Sequence, residues 1–110
     1  MAVKINIIKQ RPDDNINFNV YMTDLAISKF SQIQDKMESE GKIISLTEEY
    51  TDDELIDIQT IVFNNAESMF EYFFFYEKDI DLAQDLYDNN LYFIEHNIKV
   101  TYDIDWNYTP

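Results

Sequence analysis

Lys42 to Phe63 reads KIISLTEEYTDDELIDIQTIVF. Two runs rich in Ile, Val, Thr and aromatic residues flank the polar quartet Thr51-Asp52-Asp53-Glu54, which predicts a hairpin with strands over 42–50 and 55–63. In the second strand Ile56, Ile58, Thr60 and Val62 face one way, and Leu55, Asp57, Gln59, Ile61 and Phe63 face the other. One face is mixed near the hairpin tip and apolar near its base.

Upstream of the hairpin, Thr23 is a good N-cap for a helix over 24–40, with Leu25, Ile27, Phe30, Ile33 and Met37 as its apolar stripe. Gly41 is placed to end that helix in a left-handed conformation. Val3, Ile5 and Ile7 alternate with Lys4, Asn6 and Ile8 as a first strand, and Arg11-Pro12-Asp13-Asp14-Asn15 supplies a turn after it. Ile16, Phe18, Val20 and Met22 alternate again, as a short paired strand or as an extended lead-in to the helix.

Downstream, a helix starts after Asn64 or Asn65 and runs to about Tyr76, with Glu67 in its first turn. Its block of five consecutive aromatics, 72–76, covers every side of a helix, with Met69, Phe70 and Phe73 as the expected sheet-facing set. Tyr72, Phe75 and Tyr76 then need cover from a second helical segment, the chain end or another subunit. Asp79 caps a further segment reaching His96, with Ile80, Ala83, Leu86, Tyr87, Asn90, Phe93 and Ile94 as its inner side. The chain closes on a strand in which Ile98, Val100, Tyr102, Ile104, Trp106 and Tyr108 point one way.

The order strand, helix, strand, strand, helix, strand predicts one α+β domain over 1–110: a ferredoxin-like sandwich with an antiparallel sheet and two helices on one face. An apolar sheet face left bare in such a sandwich is usually closed by a second copy, so a homodimer is expected. The element order resembles the dimeric α+β-barrel superfamily, which includes antibiotic-biosynthesis monooxygenase-like domains. That resemblance implies a substrate pocket between sheet and helices, with His96, Trp106 and Tyr102 as its candidate residues. The N-terminal strand, the capped helix, Gly41-Lys42-Ile43 leading into an acidic hairpin, and Glu95-His96-Asn97-Ile98 also resemble small proteins of T4-like and marine bacteriophages, which implies a phage origin.

Charge sets the functional expectation. Residues 1–42 carry six acidic and six basic side chains, whereas 43–110 carry sixteen carboxylates against Lys78 and Lys99, and the formal net charge is −14. Such a field repels nucleic acid and acidic membranes and attracts a basic surface. Two candidate acidic patches follow: Glu48, Glu49, Asp52, Asp53, Glu54 and Asp57 on the hairpin, and Glu77, Asp81, Asp85 and Asp88 on the later helices. The expected function is a non-catalytic accessory protein that engages a basic protein, as a nucleic-acid mimic or inhibitor, in a bacterial or phage-infected cytoplasm; the alternatives are a small-molecule-binding or monooxygenase-like enzyme, a structural protein, and acidity that only keeps a small aromatic-rich chain in solution. Carboxylates four residues apart on a helix repeat every ~6 Å, against one charge per ~1.7 Å of duplex axis, so one helical stripe alone is too sparse for mimicry.

Other chemistries find little support in the residues. Asp13, Asn15, Asn17, Asn19 and Asp24 match a calcium loop in spacing, but Phe18 occupies the glycine position and a strand precedes where a helix is required. Asp103, Asp105 and Asn107 read as the wet face of an edge strand, and His96 as a helix-end residue. With no cysteine and one glycine, there is no thiolate site and no phosphate-cradling loop, so no cofactor, metal or catalytic residue is assigned. The N-terminal twelve residues build no signal-peptide core, and no stretch is long and apolar enough for a membrane span.

Overall fold

A computed structural model describes residues 1–18 and 23–110, with Tyr76 represented by its backbone. The elements are β1 (Ala2–Gln10), α1 (Asp24–Ser39), β2 (Ile43–Tyr50), β3 (Ile56–Phe63), α2 (Ala66–Lys78), α3 (Ile80–Glu95) and β4 (Lys99–Tyr108). The strands form one antiparallel sheet in the order β2-β3-β1-β4. Val3, Ile5, Ile61, Phe63 and Ile43 on one sheet face form a single core with Ala26, Ile33 and Met37 of α1, Met69 and Tyr72 of α2, and Leu82 of α3. The fold is thus a ferredoxin-like α+β sandwich in which the second crossover is two helices, the further segment capped by Asp79 forming as α3.

The hairpin forms as its alternation demands, with Ile61 opposite Leu46 and Asp57 opposite Tyr50. α1 begins where Thr23 accepts a hydrogen bond from the Ala26 amide through its hydroxyl, at 3.2 Å. It ends in a Schellman arrangement: the Gly41 amide donates to the Glu38 carbonyl at 3.0 Å and the Lys42 amide to that of Met37 at 2.8 Å, with Gly41 at φ 74°. Its inner stripe is Ala26, Phe30, Ile33 and Met37; Leu25 and Ile27 of the expected stripe face solvent, because they flank Ala26 on either side of the helical phase.

Three further expectations change. Of the expected run over Ile16, Phe18, Val20 and Met22, residues 16–18 are not strand, and Val20 and Met22 lie outside the described residues. In α2 the buried apolar pair is Met69 and Tyr72, with Phe73 partly buried, while Phe70 is 58% exposed. An unbroken aromatic run gives no phase of its own, and the phase is set by Tyr72, whose ring lies 5.5 Å from that of Phe63 and whose hydroxyl accepts from Gln34 Nε2 at 3.1 Å. A register shift opposite Ala2/Lys4 turns Tyr108 onto the open sheet face, where Lys4 Nζ sits 5.1 Å from its ring centroid; Tyr102, Ile104 and Trp106 remain on the helix side.

That open face is mainly polar. Thr60 donates from its hydroxyl to Asn6 Oδ1 at 2.7 Å, and Lys4, Thr47, Glu49, Asp103 and Asp105 surround the half-buried Ile8 and Ile58.

The largest departure is in α3. Its buried side is Leu82, Asp85, Asn89, Tyr92 and Phe93, while Ile80, Leu86, Tyr87 and Ile94 of the expected inner side are exposed. Polar tertiary contacts choose this phase. Asp85 Oδ2 accepts from the Thr23 amide at 2.7 Å and from its hydroxyl at 3.1 Å, and the Tyr92 hydroxyl donates to the Asn17 carbonyl at 2.7 Å. At the break between α2 and α3, Lys29 Nζ donates to both carboxylate oxygens of Asp79, at 3.0 and 2.9 Å, and to Asp81 at 2.9 Å. Asp79 Oδ1 also accepts from the amides of Asp81 and Leu82, capping α3.

Candidate functional site

The helix-facing side of the sheet is apolar along its middle and turns polar towards the hairpin end. In β1, Val3, Ile5 and Ile7 lead to Lys9; alongside them in β3, Phe63 and Ile61 lead to Gln59 and Asp57, so that Lys9 lies opposite Asp57. β4 adds Tyr102 opposite Ile7 and Val100 opposite Lys9. Over this end of the sheet the helices leave a cleft of about 400 Å³. Its floor is Ile7, Lys9, Gln59, Val100 and Tyr102, and its walls are Phe30, Phe73, Glu77, Leu86, Asn89, Asn90 and Phe93. The volume and the mixture of aromatic walls with a few polar groups fall in the range of small-molecule pockets.

Three groups give this end its electrostatics. Asp57 is 1% exposed, and burial, reinforced by the neighbouring Glu48 carboxylate and opposed by Lys9, raises its carboxyl from 3.8 to about 6. Burial lowers the Lys9 ammonium from its ordinary value, against the attraction of Asp57 and Glu48, and its Nζ sits 5.3 Å from the Phe93 ring centroid. Asn89 is 4% exposed, and its Oδ1 has no hydrogen-bond partner among the described residues; neither has Asp57 Oδ1. Nearly all buried polar atoms in proteins are paired, and Asn89, one of the residues that line the cleft, departs from that rule at its Oδ1. Among the described residues no group of three or more His, Asp or Glu side chains is arranged to hold a metal ion.

The acidic candidates do not form two continuous surface patches. Glu48 and Glu49 point to opposite faces of β2, because neighbours on a strand alternate. Asp52, Asp53 and Glu54 are exposed at the tip, where Asp53 Oδ1 accepts from the Thr51 hydroxyl and the Leu55 amide, contacts that hold its carboxyl below the usual range. Arg11 reaches the same tip, donating from Nε and Nη2 to the Glu54 carbonyl at 2.9 and 2.6 Å. Asp57 and Asp85 are buried and unavailable to a docked protein, the first by strand alternation and the second by its bonds to Thr23. Glu77 lies at the cleft, Asp81 is paired with Lys29, and Asp88 accepts from Gln84 Nε2 at 3.1 Å.

Of the residues implied by the pocket resemblance, Tyr102 lines the cleft. Trp106 packs outside it against Phe70, with ring centroids 6.1 Å apart, and His96 lies tilted against Tyr92, with ring centroids 4.3 Å apart, at the end of α3. Lys9 and Asn89 were missed as site residues. The alternation Val3, Ile5, Ile7, Lys9 does carry a signal for the first, whereas the second depends on the tertiary phase of α3.

No known protein-family model matches the chain, and no curated protein matches it. Among solved structures it is similar to a conserved protein of unknown function from Bacteroides thetaiotaomicron VPI-5482, described as a possible oxidoreductase. The match has a TM-score of 0.53 at 13% sequence identity and covers 94% of this chain and 95% of that one. At that identity the likeness is one of fold.

Proposed function

We propose that this domain is a non-catalytic binding module whose cleft receives a small amphipathic molecule. The observation that carries the reading is the amphipathic lining of the cleft, with Phe30, Phe73 and Phe93 in its walls, Lys9 on its floor and Asn89, whose buried Oδ1 is unpaired among the described residues, beside them. The matching ligand has a flat apolar body for Phe30, Phe73 and Phe93, a hydrogen-bond donor for Asn89 and an anionic or acceptor group for Lys9.

The dye 8-anilinonaphthalene-1-sulfonate has all three features and serves as the probe. Its fluorescence should rise saturably with the wild-type chain. Val100→Trp, which fills the cleft from the floor, should remove that site, and Asn89→Leu should weaken it. Dye binding by Val100→Trp equal to that of the wild type would reject the cleft as the site.

The charge supports a second reading, an accessory protein that engages a basic partner. Residues 66–108 carry ten carboxylates and two lysines, and the exposed members of the hairpin set add to the same sign. Because Asp57 and Asp85 are buried and Glu48 and Glu49 diverge, this reading favours a partner that combines positive charge with apolar contacts over a mimic of duplex DNA. Binding of a basic peptide that weakens between ~0.1 and ~0.5 M salt tests it.

A further inference from the structure

α3 buries Asp85 and Asn89 together with Leu82, Tyr92 and Phe93 and turns an apolar row outward. Ile80, Tyr87, Leu91 and Ile94 are 81%, 60%, 48% and 75% exposed. At ~100° per residue they fall within a stripe about 60° wide running the length of the helix. Asp81, Asp88 and Glu95 follow Ile80, Tyr87 and Ile94 one position on, so an acidic row repeats every seven residues beside the apolar one. This is the pattern of a seam that meets another helix: apolar residues at heptad spacing, with charge along the flank to select the partner. The helix that carries the seam is 16 residues long, about 24 Å.

We infer that the outward face of α3 is a docking surface for a cationic amphipathic helix of another protein. The inference rests on the basic-partner reading above and supplies its surface. Charge complementarity selects the occupant. A second copy would bring an identical acidic row and a net charge of −14 against this one, whereas a helix with Lys or Arg beside its apolar seam pairs with Asp88 and Glu95 while covering Tyr87, Leu91 and Ile94. Asp81 is already engaged by Lys29, so the seam is most open to pairing over its C-terminal two turns. The row does not turn into the domain's own core, because Asp85 and Leu82 hold the opposite side against Thr23 and the sheet.

The test uses the intact chain and a labelled three-heptad peptide with Leu along one seam, Lys on its flanks and Ala elsewhere. Two control peptides replace Lys by Glu, or Leu by Ser. Fluorescence anisotropy at ~0.1 M salt should show saturable binding of the Lys/Leu peptide, with a gain in its helical circular dichroism, and no binding of either control. Tyr87→Ser/Ile94→Ser removes two solvent-facing side chains and should weaken binding roughly tenfold or more while leaving the melting temperature unchanged. Equal binding to this variant would overturn the α3 assignment and leave the basic-partner reading standing. Equal binding of the Ser control would show adsorption to net charge alone, and failure of every peptide would reject both readings. A dimer in sedimentation that the double variant disperses would place a second copy on the seam and overturn the inference.

Discussion

Replacing Asp57 by Asn should change how stability depends on pH. The native carboxyl sits at about 6 against an ordinary 3.8, a difference of about two units, and at ~1.4 kcal/mol per unit this amounts to about 3 kcal/mol. The sign follows from the direction. A carboxyl raised in the native state holds its proton more tightly there than in the unfolded chain, so its ionisation destabilises the fold. That penalty is absent below pH ~4 and complete above pH ~7. Wild-type stability should therefore carry a fall of about 3 kcal/mol from Asp57 as pH rises through this window, and Asp57→Asn should lack it.

Glu48, Tyr50 and Lys9 face the same carboxyl, and the substitution also removes the anion that favours the Lys9 ammonium. The informative quantity is therefore the difference in slope between the two proteins, in which the many surface carboxylates common to both cancel. Urea unfolding followed by far-ultraviolet circular dichroism at half-unit steps from pH 4 to 8 measures it. The gap should reach the order of 10 °C if read as melting temperature. Parallel pH curves for the two chains would refute the argument that Asp57 is ionised at a cost inside the sandwich.

Tyr72→Ala should cost about 3 to 5 kcal/mol by emptying a core site, whereas Phe70→Ala, two positions away and more than half exposed, should cost less than about 1 kcal/mol; equal losses in chemical denaturation would mean a different phase for α2. Asp85→Ala should destabilise by about 1.5 to 3 kcal/mol through loss of a charged acceptor for the Thr23 amide and hydroxyl, and amide exchange should show the first turn of α1 opening earlier than its last. Moderate salt should raise the wild-type melting temperature by screening the exposed carboxylates of 43–110; a fall would mean that internal ion pairs outweigh their repulsion.

The parts of this fold that rest on local chemistry are legible in the chain. The Thr23 cap, the Gly41 stop, the alternation of Val3, Ile5 and Ile7, and the hairpin about 51–54 each need only their neighbours, and each forms as read. Phase was lost where local hydrophobicity and tertiary contact disagree. In α3, Ile80, Tyr87 and Ile94 make the more apolar side, yet Asp85 turns inward to serve an amide 62 residues earlier in the chain, and no pattern within the helix announces that. The cleft was illegible for the same reason, since Asn89 enters its wall only once α3 has turned. Lys9 was readable as inward-facing, but its burial opposite Asp57 required the strand register. Tyr108 changed sides through a bulge that strict alternation does not anticipate.

Lys29 has a mechanical consequence beyond its ion pairs. One ammonium grips the corner of the crossover at Asp79 while the same carboxylate closes the first turn of α3, so the two arms of that bracket share a single rivet anchored in α1. The start of the final helix is thus tied to the first helix at this corner, alongside the Asp85–Thr23 bonds and the core contacts of Leu82 that set how it lies on the sheet.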